Sequence, residues 1–317
     1  MKKTLKGMTK FLFGFVIFVL AFLIAVITRL NLEKVTMYSA FYAYRDVVCK
    51  NPGLNDGFVH QGICVDDNSG KIVLSGYMAD HSASRLYVTD TDNNSYYVSI
   101  HKDGKAFTGH FGGVTISGDT VYIASEDAMH LVSRAELLNA KKGDTLSIQK
   151  TIPTNNQASY IYSDDTYLYI GEFHDGGQYV TTHPYETPDG LYHAIISRYK
   201  LENLEKLDKI YSVRDKVQGI CFAEGKIVLS TSYGLNDSVY YIYNEADCIK
   251  SENTLDGAPV YYINNCQKEF NGPAMAEGLD YYNGKVITMS ESASNKYIFG
   301  KLFFANKIIT LDILKLK

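Results

Sequence analysis

Eight histidines occur in this chain of 317 residues, and three of them, His60, His110 and His174, stand where polar side chains recur. His60-Gln61, His110, Asn156-Gln157, Gln218 and Glu277 each precede a short β-prone segment. Tyr77, Asp80-His81, Glu126-Asp127, Glu172, His174, Ser232-Tyr233 and Glu291 each follow a β-branched run. Imidazoles and carboxylates gathered at one place could hold a divalent cation and move protons. Glutamine amides and tyrosine rings could instead grip a polar ligand. Other chemistries lack their signatures. The chain has no H-E-x-x-H, no G-x-S-x-G and no phosphate-cradling glycine loop. Asp90-x-Asp92-x-Asn94 resembles the start of a calcium loop, but position twelve is His101 and the sixth position is not Gly, so an ordinary turn is expected. A net charge of −4 supplies no basic field for nucleic acid.

The elements that must position these residues form a repeat. Five copies share one phrase: HQGICVDDNSGKIVLSG, HFGGVTISGDTVYIAS, QASYIYSDDTYLYIGE, VQGICFAEGKIVLSTS and AEGLDYYNGKVITMSE. With Gly62, Gly113, Ser159, Gly219 and Gly278 taken as equivalent, the steps are 51, 46, 60 and 59 residues. That period suits propeller blades. The first copy reads as four strands, Gly62–Val65, Lys71–Ser75, Arg85–Thr89 and Tyr96–Ile100, joined by turns rich in Asp, Asn, Ser and Gly. The second strands (KIVLS, TVYIA, YLYIG, KIVLS, KVITM) are apolar almost throughout, as expected of strands covered on both faces. Tyr is abundant at 26 residues and Trp is absent, a composition that leans toward β structure. The expected fold is therefore all-β, a β-propeller of five four-stranded blades, with six blades as the alternative if residues 35–58 contribute one. The last copy is expected to run Gly278–Tyr282, Val286–Ser290, Lys296–Phe304 and Lys307–Leu314. Arg134–Lys141 and Leu201–Leu207 have helix-forming composition and read as short turns.

In a propeller the inner strand starts at the face where the second strand ends, so the recurring polar residues converge on one mouth of the channel. The expected ligand-binding set is His60, Gln61, His110, Gln157, His174, Gln218, Tyr233, Glu277 and Glu291. If a divalent cation is bound, Glu277, His60 and His110 are its expected ligands. The plain alternative is that Glu277 caps backbone N–H groups and binds nothing.

Phe11–Ile27 is an apolar run interrupted only by Gly14. As a helix at 1.5 Å per residue it nearly crosses a hydrocarbon core of about 30 Å. Lys2, Lys3, Lys6 and Lys10 precede it, and Arg29 and Lys34 follow. The heavier basic side should stay in the cytoplasm. The expected organisation is a cytoplasmic tail (1–10), a transmembrane signal-anchor (11–28), a stalk or linker (29–58) and an extracytoplasmic propeller (59–317). A cleaved signal is the rival, but Thr28-Arg29-Leu30-Asn31-Leu32 is poor cleavage sequence.

Five cysteines (49, 64, 221, 248, 266) show no C-x-x-C spacing. Cys64 and Cys221 hold equivalent repeat positions and read as small core residues. Pairing of Cys248 with Cys266, or of Cys49 with Cys64, stays open.

The phrase PAMAEGLDYYNGKVITMSESASNKY resembles the last blade of an uncharacterised family of secreted or membrane-anchored bacterial propellers. His110–Gly113 and QGICFAEGKIVLSTSYG fit the same family over roughly residues 55–310. That resemblance implies architecture and no activity. Glu277-Gly278 is also similar to the metal-binding Glu of gluconolactonase-like propellers, which are six-bladed. Two functions follow. One is a membrane-tethered module that binds a polar small molecule, glycan or protein at the channel mouth. The other is a hydrolase or lyase, dependent on a divalent metal, acting on a polar extracytoplasmic substrate.

Overall fold

The computed structural model describes residues 2–297, 300 and 305–315. An N-terminal helix, Lys2–Val35, includes the 23-residue segment Gly7–Arg29, which is long and apolar enough to cross a membrane and is not covered by the rest of the chain.

Beyond it the described residues form five blades, each with four strands in antiparallel order, and a separate two-stranded sheet of Tyr185–Thr187 with Gly190–Tyr192. Blade 1 contains Phe58–Val65, Ile72–Met78, Arg85–Thr89 and Ser95–Lys102. Blade 2 contains Gly113–Ser117, Thr120–Ser125, Ala128–Ser133 and Lys150–Pro153. Blade 3 contains Tyr160–Ser163, Tyr167–Gly171, Ala194–Lys200 and Asn203–Val213. Blade 4 contains Val217–Ala223, Lys226–Thr231, Ser238–Asn244 and Lys268–Gly272. Blade 5 contains Ala276–Tyr282, Lys285–Ser290, Lys307–Leu311 and Arg45–Lys50. The second strands are buried on both faces, as their unbroken apolar sequence requires: Val73, Leu74, Ile227 and Leu229 have no exposed surface.

The inner strands touch in the order 1-2-3-4-5-1. Close approach at the axis explains the repeated glycine. A Cβ added to Gly62 would lie 2.5 Å from Gly113 Cα, one on Gly219 2.9 Å from Gly278 Cα, and one on Gly278 3.0 Å from Gly62 Cα. The serine that ends each KIVLS strand ties its blade to the next: Ser75 Oγ donates to Phe111 O at 3.1 Å, and Ser230 Oγ to Glu277 O at 2.7 Å. In blade 3 the equivalent of the glycine is Tyr160 rather than Ser159, because Tyr160 pairs with Gly171 as Gly62 pairs with Ser75, Gly113 with Ala124 and Gly219 with Ser230.

Three further departures from the sequence reading have physical causes. The fourth strand of blade 5 comes from Arg45–Lys50, which pairs antiparallel with Lys307–Leu311. Residues 29–58 are thus not merely a stalk. Ser39–Tyr44 is a short helix whose Phe41 ring stacks 5.9 Å from Tyr240, and the next six residues close the ring. No sixth sheet forms from the described part of this segment. The strand expected at Lys296–Phe304 lies partly outside the described residues. Its described beginning belongs instead to a serine turn, where Ser294 Oγ donates to Phe58 O at 2.9 Å. Arg134–Asn139 is helical, capped by Ser133, but Leu201–Leu207 turns directly into the strand Asn203–Val213, held by its ladder to Ala194–Lys200. In blades 2 and 4 the chain between third and fourth strands reaches back, laying Thr145–Ser147 on blade 1 and Ala258–Tyr262 on blade 3. All five cysteines are unpaired, with Cys64 and Cys221 in the core.

Candidate functional site

The inner strands of blades 1, 4 and 5 each carry one extra residue at the glycine that recurs in the repeats. His60 pairs with Gly76 and Gly62 with Ser75, leaving Gln61 without a partner across the ladder. Val217 pairs with Thr231 and Gly219 with Ser230, leaving Gln218. Ala276 pairs with Ser290 and Leu279 with Thr288, so Glu277 and Gly278 share one facing residue. A bulge of this kind re-aims a side chain. Here it turns Gln61, Gln218 and Glu277 into a cavity of about 490 Å³ at the channel mouth. Gly112 and Ser159 hold the corresponding places in blades 2 and 3, where backbones close up instead. The three bulged side chains are therefore supplied by the adjacent blades 4, 5 and 1.

Of the residues expected at this mouth, Gln61, His110, Gln157, Gln218, Tyr233, Glu277 and Glu291 line the cavity, with Tyr77, Glu126, Asp127 and Ser232. Glu291 is the hub. Its Oε2 accepts from Gln61 Nε2 at 2.7 Å and from Tyr297 OH at 3.2 Å. Tyr297 OH is 3.2 Å from Tyr77 OH, and Lys296 Nζ donates to Tyr77 OH while lying 4.5 Å from its ring. The Tyr77 ring sits 4.4 Å from that of His110, which is open to the cavity. Glu277 is 2% exposed, and burial together with the neighbouring Glu291 holds its carboxyl well above the usual carboxylate range. Desolvation pushes Glu291 up to about 7, opposed by Tyr297, Lys296 and Gln61. Glu291 also reaches the cavity surface, so water there tempers its shift. Two neighbouring carboxyls that resist losing both protons can serve as a donor and an acceptor at neutral pH.

Two expected members lie elsewhere. His60 is fully buried, with Nε2 2.8 Å from Pro52 O and its ring edge-on to Phe58. It precedes the bulge by one residue, so pleating sends it away from the channel while Gln61 turns in. Burial lowers its pKa to about 4. The expected cation trio of Glu277, His60 and His110 is thus not brought together. His174 is buried behind the cavity wall, with Nδ1 2.9 Å from Thr181 Oγ1, while its neighbour Phe173 lines the cavity. Other mouth positions are structural. Glu172 accepts from His183 Nδ1 at 2.8 Å and from Ile195 N at 3.1 Å. Asn156 donates to Ile170 O. Asp80 accepts from Ser82 in an ordinary turn, and Asp90, the calcium-loop candidate and not a mouth position, accepts from the backbone of Asp92 and Asn94 in the ordinary turn expected there.

Lys296, Tyr297, Gln178 and Tyr179 line the cavity without having been read from the sequence. The run Ser292-Ala293-Ser294-Asn295 was the available signal for the first two, since it is turn chemistry and argues for a loop returning to the mouth. Gln178 and Tyr179 sit in a long blade 3 insertion with no counterpart in other copies.

No family model matches the chain, and no curated protein matches it, so the resemblances read from the sequence gain no named relative. Among solved structures it is similar to the Pan2 WD40 domain of Neurospora crassa (9% identity, TM-score 0.34), covering 74% of this chain and 60% of that one. It is also similar to the computationally designed Ika8 protein (9%, TM-score 0.33; 80% and 70% covered) and to a Bacteroides caccae protein of unknown function (7%, TM-score 0.38; 59% and 64% covered). The chain spans about 60% of the length of the Pan2 domain.

Proposed function

We propose that this protein is a membrane-anchored propeller, held outside the cytoplasm, that binds a hydroxyl-rich polar ligand, a glycan, in its channel mouth. The observation that carries the reading is the lining: four glutamine amides (61, 157, 178, 218) beside four tyrosines (77, 179, 233, 297). Each amide both donates and accepts, which matches sugar hydroxyls, and each tyrosine offers an apolar face with a polar tip. The volume falls within the range of ligand pockets. The lysine excess before Phe11 supports the orientation. A thermal-shift panel of oligosaccharides on the full chain in detergent tests it, because a bound ligand raises the melting temperature by mass action. A saccharide that stabilises the protein should bind Glu277→Gln at least tenfold more weakly, about 1.4 kcal/mol, with little change in the unliganded melting temperature. If no saccharide shifts the protein, or if the variant binds normally and melts lower, Glu277 is a structural residue and the reading fails.

One observation favours a hydrolase or lyase as the second reading: Glu277 and Glu291 are neighbours with raised proton affinity. On that reading the bound saccharide is turned over, and Glu291→Gln abolishes turnover while sparing binding.

A further inference from the structure

We propose that His174, His193 and Asp215 form a binding site for a first-row divalent cation of the zinc class, distinct from the channel mouth. One ligand atom from each residue lies within 4.8 Å of the others. The two imidazoles are nearly parallel, with centroids 4.6 Å apart and planes inclined by 11°. Asp215 accepts from the backbone N of His193 at 3.0 Å and lies 2.9 Å from its Nδ1. A cation that replaces the proton between these two atoms would find Nδ1 and the carboxylate oxygen side by side as ligand atoms.

Thr181 sets the other ring. Its hydroxyl donates to His193 O, and its backbone N–H donates to His174 Nδ1 at 3.1 Å, so Nδ1 is the accepting nitrogen and Nε2 carries the proton of the neutral ring. A cation bound through His174 Nε2 would take the place of that proton, so binding should release it. Gly176 lies beside this ring: a Cβ at that position would stand 3.7 Å from Nε2, an ordinary contact.

Two nitrogens and one carboxylate oxygen suit zinc and its neighbours, whereas calcium and magnesium call for oxygen alone. Zinc bonds of about 2.0–2.2 Å would draw the three atoms inward. His193 and Asp215, each 33% exposed, have room to move and leave an entry path. The cation would pin the 174–193 insertion to the link between blades 3 and 4. Gln178 and Tyr179 of that insertion wall the channel mouth, so metal would stiffen the wall whatever the cavity binds.

The test is calorimetric titration of Zn²⁺ alone into the chelator-stripped full chain in detergent, with the visible spectrum of the Co²⁺ form. One equivalent should bind in the micromolar range or tighter, with Co²⁺ bands of a tetrahedral nitrogen–oxygen site and a raised melting temperature. His193→Gln and Asp215→Asn, both at partly exposed positions, should each weaken Zn²⁺ at least tenfold while the unliganded protein still melts cooperatively. Binding only at millimolar Zn²⁺, or one tight equivalent that survives both substitutions, overturns the site. Saccharide binding is read separately, so failure here leaves the cavity reading intact.

Discussion

Tyr160 and Gly171 face each other across the first two strands of blade 3, and the tyrosine ring fills the volume a side chain at 171 would need. In blades 1, 2 and 4 the glycine lies on the inner strand instead, opposite Ser75, Ala124 or Ser230. Blade 3 has exchanged large and small. Gly171→Ala should therefore destabilise by about 1–3 kcal/mol through overpacking. The penalty should largely vanish in a Tyr160→Ala background, the mark of direct coupling. Denaturant unfolding of the two single variants and the double variant measures it, and additive effects would exclude the exchange.

Glu291 makes stability depend on pH. Its folded pKa, near 7, lies above the unfolded carboxylate value of roughly 4.3. Between those values the folded state keeps a proton that the unfolded chain has lost, so this contribution falls as pH rises through the window. Glu291→Gln removes it. The variant's melting temperature should improve relative to the parent between pH 5 and pH 8, and an unchanging difference across that range would show that Glu291 is not held protonated.

Ring closure by Arg45–Lys50 predicts a sharp truncation boundary. A chain starting at residue 33 should unfold cooperatively. One starting at residue 52 lacks the outer strand of blade 5 and the buried Cys49, and exposes the edge of Lys307–Leu311. It should aggregate or melt more than ten degrees lower. Equal melting of the two would mean the strand is dispensable.

Membrane orientation has its own test. Protease added to intact cells should digest the propeller and spare residues 1–10. A protected propeller would reverse the proposed orientation, and a soluble form starting near residue 32 would reveal a cleaved signal.

Much of this was legible in the sequence for local reasons. The apolar helix, the period near fifty, the doubly covered second strands and the glycines at the axis all follow from residue type and short-range spacing. The mouth positions were legible as a set because the repeat places them at one end of their strands. His60 was misplaced because a bulge shifts side-chain direction by one residue, and the sequence HQG does not say which of its two polar residues is extra.

What the sequence alone determined is the repeated unit: Gly-aliphatic inner strand, apolar second strand, polar turns, and a helix fit for a membrane. Those are properties of neighbours along the chain. Only the tertiary structure decided which residues meet. Arg45–Lys50 joins a strand more than 250 residues away, Lys296 and Tyr297 return to Glu291, and His174 stacks on His193 beside Asp215. Each of these contacts depends on closing five blades into a ring, and the ring forms through packing between sheets, whose partners are set by burial in three dimensions and leave no fixed spacing in the chain.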